Sequence, residues 1–165
     1  MRGVGKIKKM KEILIQDVHL ENEIIRFEKF NLYQRDAIKS IRPLYFCPYF
    51  TEKAAREKGI LYISQIVGIL IFNSSNLDDN IEKIKSLTKN QEQSDNWIAG
   101  VKFNSVPEDR TYYFLDSPLK FSKPIYKADG KEESGKNWIL KNITKNRCVS
   151  FLDLLRHIPN LIEKD

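Results

Sequence analysis

With 165 residues, 41% of them hydrophobic and 30% charged, the chain has the size and polarity of one soluble globular domain, able to bury a core without metal or disulfide help. That balance excludes a disordered tail, and no apolar run reaches the roughly twenty residues of a membrane span. The net charge of +6 is unevenly placed: residues 1–11 and residues 120–147 each carry +5, and the remainder carries −4.

In chain order, residues 1–11 hold Arg2, Lys6, Lys8, Lys9 and Lys11 with no acid and read as a basic, flexible leader. They lack the apolar stretch and small-residue cleavage site of a secretory signal, so a cytoplasmic location is expected, and residues 12–165 read as a single domain. Residues 12–18 alternate weakly, as a strand would. Within residues 22–41 the apolar positions from Leu32 to Ile41 fit helical spacing, and Pro43 marks the end of that helix.

Residues 44–50 and 60–72 are apolar, aromatic and β-branched. The second run has no charge over thirteen residues, which predicts a strand buried on both faces or curled into a barrel. Residues 51–58 between them favour a helical turn ending at Gly59. Asn73, Ser74, Ser75 and Asn76 offer cap residues, and Leu77, Ile81, Ile84 and Leu87 then recur at helical spacing. Residues 89–96 read as a polar loop. Trp97, Ala99, Val101 and Phe103 alternate, which predicts a strand after it.

Residues 107–110 form a turn and 111–115 a strand. Pro118 and Pro124 frame an edge strand over 119–122. Residues 127–135 are a loop rich in glycine and charge, 138–140 a brief strand, and 150–157 a closing helix with Ser150 as N-cap and Pro159 beyond its end. The sum is an α+β domain: a mixed β-barrel of five to seven strands flanked by two to four helices.

Two stretches carry a resemblance. Tyr45-Phe-Cys-Pro-Tyr49 followed by residues 59–67, Gly-Ile-Leu-Tyr-Ile-Ser-Gln-Ile-Val, resembles the opening strands of EVE-like domains of the PUA-like superfold, whose other members include the ASCH, YTH and SRA domains. Tyr112-Tyr-Phe-Leu115, Pro124-Ile125 and residues 147–155 resemble their closing strands, turn and terminal helix. The resemblance covers residues 42–157, rests on structural motifs, and implies a domain that binds nucleic acid, several of its kind holding a modified or flipped base among aromatics. It also implies a setting in modification-dependent restriction, such as the N-terminal reader of an McrB-type restriction GTPase. No phosphate-binding Gly-x-x-x-x-Gly-Lys-Ser/Thr is present in the chain, so any catalytic domain or subunit would be a partner.

On that reading the domain is not itself an enzyme, needs no cofactor or metal, and takes DNA ahead of RNA. Trp97, Tyr49 and Trp138 are the candidate stacking platforms, because a base against a flat ring gains about 1–3 kcal/mol. Asp95 and Asn96, just before Trp97, would hydrogen-bond a base edge. Lys127, Lys131, Lys136 and Lys141, with Arg42 and Arg147, would contact phosphates. The plainer accounts are that strand aromatics are core, that the lysines keep a loop soluble, and that the two arginines are ion-pair partners.

Other chemistry has thinner support. Cys47 and Cys148 are expected to be free thiols. Neither His19 nor His157 has a zinc-ligand neighbour at the right spacing. A small restriction nuclease would have to use Asp116 with Asp129-Gly130-Lys131, which falls in a turn. An RNA-binding module, or a protein-interaction module using an exposed strand edge, would also suit such a domain.

Overall fold

The computed structural model describes residues 12–37, 42–126 and 147–149. Over these, the chain forms β1 (Ile13–Val18), α1 (Glu21–Phe30), β2 (Leu32–Asp36), β3 (Tyr45–Phe50), β4 (Gly59–Asn73), a 3₁₀ turn (Ser74–Asn76), α2 (Leu77–Ser86), α3 (Gln91–Lys102), β5 (Asp109–Leu115), β6 (Leu119–Ile125) and β7 (Arg147–Val149). The strands make one sheet in the order β2-β5-β4-β3-β1-β7, with β6 also paired to β4. The β1–β3 pair is parallel and the others are antiparallel.

β4 holds no charged residue in its fifteen, so all of it can be buried. Its first half pairs with β3 and β6, and its second half pairs with β5. The register against β5 slips between Ile66 and Gly68, where the strand passes from one part of the sheet to the other and the sheet curls. The Asp116 amide donates to the Gln65 carbonyl at 2.9 Å, so β5 and β6 follow β4 as one broken strand. Gly59 opens β4 at φ +110°, a conformation that other residues rarely adopt.

Three apolar layers result. Leu14, Val18, Phe46, Phe50, Leu61, Tyr33 and Tyr113 fill the concave face of the sheet, closed by Ile24 and Phe27 of α1. On the other face of β1 and β3, Ile13, Ile15, Cys47 and Tyr49 pack with Ile60 and Ile125. α2 and α3 cover the convex side of β2 and β5 through Leu77, Ile84, Trp97 and Val101, against Leu32, Tyr112 and Phe114. Cys47 and Cys148 are free, as expected.

Three local expectations are corrected. The helix lies at Glu21–Phe30, not from residue 32 onward. Asn31 takes φ 50°, ψ 45° and ends α1, its amide donating to Phe27, and the chain beyond pairs with β5. A tertiary partner outweighs the helical spacing there. Ile38 and Ile41, which completed that spacing, lie outside the described residues.

The predicted loop 89–96 and strand 97–103 are instead α3. Asn90 Oδ1 caps it by accepting from the Gln93 amide at 3.1 Å. Ser94, Trp97, Gly100 and Val101 are buried at helical spacing, while Ala99 is exposed. Residues 51–58 form turns and bends, with Ala54 N–H donating to Thr51 O at 3.0 Å, and no helix. The expected leader, the loop 127–135, the strand 138–140 and the closing helix lie outside the described residues.

α1 and α3 approach closely at Gly100, where an added Cβ would lie 2.7 Å from Phe30 Cβ. Gly100→Ala should therefore destabilise the fold by about 1–3 kcal/mol. Gly68→Ala should cost less, because the nearest atoms its Cβ would meet belong to the Leu87 side chain, which can turn away. Paired denaturant titrations check the order.

Candidate functional site

Alternation along β2 and β5 sends Tyr33 and Arg35, with Thr111 and Tyr113 opposite them, to the concave face. Tyr33 stacks on Phe46 with ring centroids 4.3 Å apart and lies 5.8 Å from Tyr113. Phe27 meets Phe46 and Tyr62, each at 5.9 Å. Burial raises the pKa of the Tyr33 hydroxyl far above its ordinary value and that of Tyr113 above its own, so both are neutral hydrogen-bonding groups at physiological pH.

Polar atoms without partners gather around these rings. Arg35 Nε and Nη1, Glu23 Oε2 and Ser64 Oγ are buried and make no hydrogen bond among the described residues. Ser64 faces Phe46 across the β3–β4 pair, and Glu23 reaches in from the first turn of α1. The neighbouring arginines differ. Arg110 Nη1 bonds Asp36 Oδ1 at 2.8 Å. Arg26 Nη2 donates to Phe103 O at 3.1 Å and its guanidinium lies over the Phe103 ring, with burial lowering its pKa. Those two tie elements together, whereas Arg35 makes no such tie among the described residues.

The residues singled out from the sequence fall elsewhere. Trp97 is fully buried, its indole N–H donating to Leu115 O at 3.0 Å and its ring edge-on to Phe114 at 5.4 Å. It is therefore core and not a stacking platform, because a helix turns its ring onto the sheet where a strand would have left it at the barrel mouth. Tyr49 is 2% exposed within the Ile13, Cys47 and Ile125 cluster, on the face away from Tyr33, so it too offers no open ring.

Asp95 is exposed on α3, and Asn96 Nδ2 donates to Lys29 O at 3.2 Å, joining α3 to α1. Arg42 is exposed before β3, and Arg147 opens β7 opposite Ile15. Trp138, Lys127, Lys131, Lys136 and Lys141 lie outside the described residues, as does Asp129, which a nuclease would need. Asp116 accepts from Gln93 Nε2 at 3.0 Å and the Ser117 amide at 3.1 Å.

No cluster of three His, Cys, Asp or Glu that could hold a metal occurs among the described residues. None of their helices is long and apolar enough to cross a membrane. Tyr33 and Arg35 do not stand out in the sequence because residues 32–41 read as helix. The signal that finds them is the Tyr-x-Arg alternation of β2 paired with Thr-x-Tyr of β5.

Neither protein-family models nor curated protein sequences match the chain. Among solved structures, the N-terminal domain of McrB from Staphylothermus marinus aligns with a TM-score of 0.50 and 9% identity, over 93% of this chain and 96% of that one. The fold is PUA-like. A point-mutant form of the ASCH protein from Zymomonas mobilis aligns with a TM-score of 0.44 and 14% identity, over 81% of this chain and 92% of that one.

Trp97→Ala should cost about 3–5 kcal/mol of stability, as for a large aromatic removed from a packed core. Ligand affinity of the fraction that stays folded should be preserved. A thermal melt paired with a binding titration checks both.

Proposed function

We infer that this chain is a non-catalytic nucleic-acid-binding domain that reads a modified or flipped base in DNA and serves as the specificity module of a restriction system. The observation that carries this reading is the PUA-like fold, matched along 93% of the chain by the N-terminal domain of an McrB protein. The polar atoms of Arg35, Glu23 and Ser64 left unbonded among the described residues support it, since an extruded base needs an edge to bond. Catalysis would then belong to a partner domain or subunit.

The basic residues have a separate part in this reading. Lys127, Lys131, Lys136 and Lys141, with exposed Arg42 and with Arg147, hold the phosphate backbone and position it without reading sequence. Exposed Lys120 and Lys123 on β6 extend the same charge.

The test is a binding screen of single-stranded, duplex, RNA and methylated oligonucleotides across a salt series. DNA carrying one modified base should bind best, and preference for RNA would turn the reading to an RNA-binding module. Replacing Lys131, Lys136 and Lys141 together by glutamate should weaken binding to all sequences alike. It should also reduce the slope of log affinity against log salt by about 2.7 if each lysine neutralises one phosphate. Unchanged affinity in the folded triple variant would remove those lysines from the interface.

A further inference from the structure

Among the described residues, β2, β6, β7 and the second half of β4 each present an edge that no other strand covers. β3 pairs with β4 only as far as Gln65, and the Ile66 amide donates to Leu44 O at 2.8 Å. Beyond that point β5 lies along one side of β4, and the other side of residues 67–73 has no hydrogen-bonded neighbour among the described residues. Such an edge is a row of unanswered N–H and C=O groups, and proteins guard it with charge, proline or brevity. β6 carries Lys120, Lys123 and Pro124, β2 carries Arg35 and Asp36, and β7 is three residues long. The β4 edge has no such guard: the strand holds no charge and no proline, and residues 67–71 are all partly exposed.

This edge suits a second copy of itself. An antiparallel two-fold centred on the free segment sets Leu70 opposite its own counterpart and Ile69 opposite Ile71 on each side of the axis, so apolar side chains meet at every central pair. No like charges come together along the strand, although the chain carries +6. A phosphate backbone finds no lysine or arginine there to neutralise it. The ends of the segment agree with self-pairing. Leu44, 52% exposed, holds the Ile66 amide, and Val106, 40% exposed, accepts from Ser74 Oγ at 2.9 Å. Antiparallel pairing brings the Leu44 end of one copy to the Val106 end of the other, which extends the apolar contact past the strands.

We propose that the second half of β4 is a homodimer interface, two copies pairing antiparallel along residues 67–73 about a two-fold axis at Leu70 and joining their sheets into one. The two-fold closes the contact, because each copy spends its single unguarded edge on the other. The axis runs perpendicular to the joined sheet, so both concave faces lie on the same side of the dimer. The inference stands apart from the nucleic-acid reading and is tested without a ligand.

The experiment is sedimentation velocity of the full chain over a concentration series, with Ile71→Lys beside the wild type. Ile71 belongs to none of the three apolar layers, so the lysine should leave the melting temperature unchanged. The wild type should sediment with the mass of two chains. Ile71→Lys should raise the dimer dissociation constant about tenfold or more, since symmetry places the charge in the contact twice. Leu70→Cys should form a covalent dimer under mild oxidation, because a residue on the axis faces its counterpart within disulfide reach. Val67→Cys, which faces Asn73, should cross-link no more than the wild type.

Wild-type protein that stays monomeric at the highest concentration overturns the proposal and leaves the edge to another part of this chain or to a different partner. A dimer unchanged in folded Ile71→Lys puts the contact on another surface and overturns it too, as does association beyond two chains. If Ile71→Lys does not fold, the two cysteine variants decide. Cross-linking at Leu70→Cys but not at Val67→Cys upholds the interface and its register; absent or equal cross-linking at the two positions overturns them.

Discussion

A single charge-free strand that must be paired along its whole length sets the geometry of this domain. β4 is too long to stay flat beside any one neighbour, so β3 and β6 serve its first half and β5 its second. The register slip between Ile66 and Gly68 is where the two regimes meet. Because the sheet turns there, Tyr33 and Phe46, brought by strands that are not neighbours in the sheet order, come to stack. A flat sheet would have held β2 and β3 apart, with β5 and β4 between them.

The curl also divides labour between the two faces. The convex side takes α2 and α3 and is sealed by Trp97, whose indole N–H is answered by Leu115 O. The concave side receives only α1 among the described helices, and that helix brings Glu23 and Phe27 together. Both faces keep some buried polar atoms unbonded among the described residues, the Tyr112 hydroxyl on the convex side and Arg35, Glu23 and Ser64 atoms on the concave side.

Much of the framework was legible because burial leaves a strong composition signal. Residues 60–72 read as a strand from their lack of charge, and α2 read from Leu77, Ile81 and Ile84. α3 was not legible from alternation, since Trp97, Ala99, Val101 and Phe103 satisfy a two-residue period by coincidence. Asn90 three residues before Gln93, with Ser94, Trp97 and Val101 at helical spacing, was the truer signal. The candidate site was hidden for a related reason. β2 is only five residues long and owes its form to β5, about eighty residues away in sequence, so Tyr33 and Arg35 could not be placed on a common face from local pattern. The aromatics that stood out in the sequence were conspicuous because they are core.

The pairing of β1 has a consequence for how the chain is made. Ile13 to Ile15 are hydrogen-bonded neighbours of residues 147–149, so that contact spans about 130 residues. Ribosomes add roughly 5–20 residues per second, so β1 waits on the order of 7–26 s after its own synthesis before its second edge can be covered. During that interval Ile13, Leu14 and Ile15, all fully buried in the finished domain, belong to a strand with an open side. Its parallel partner β3 emerges within a few seconds and shields one edge; the other is a window in which a nascent chain is open to capture by a chaperone or by another copy of itself.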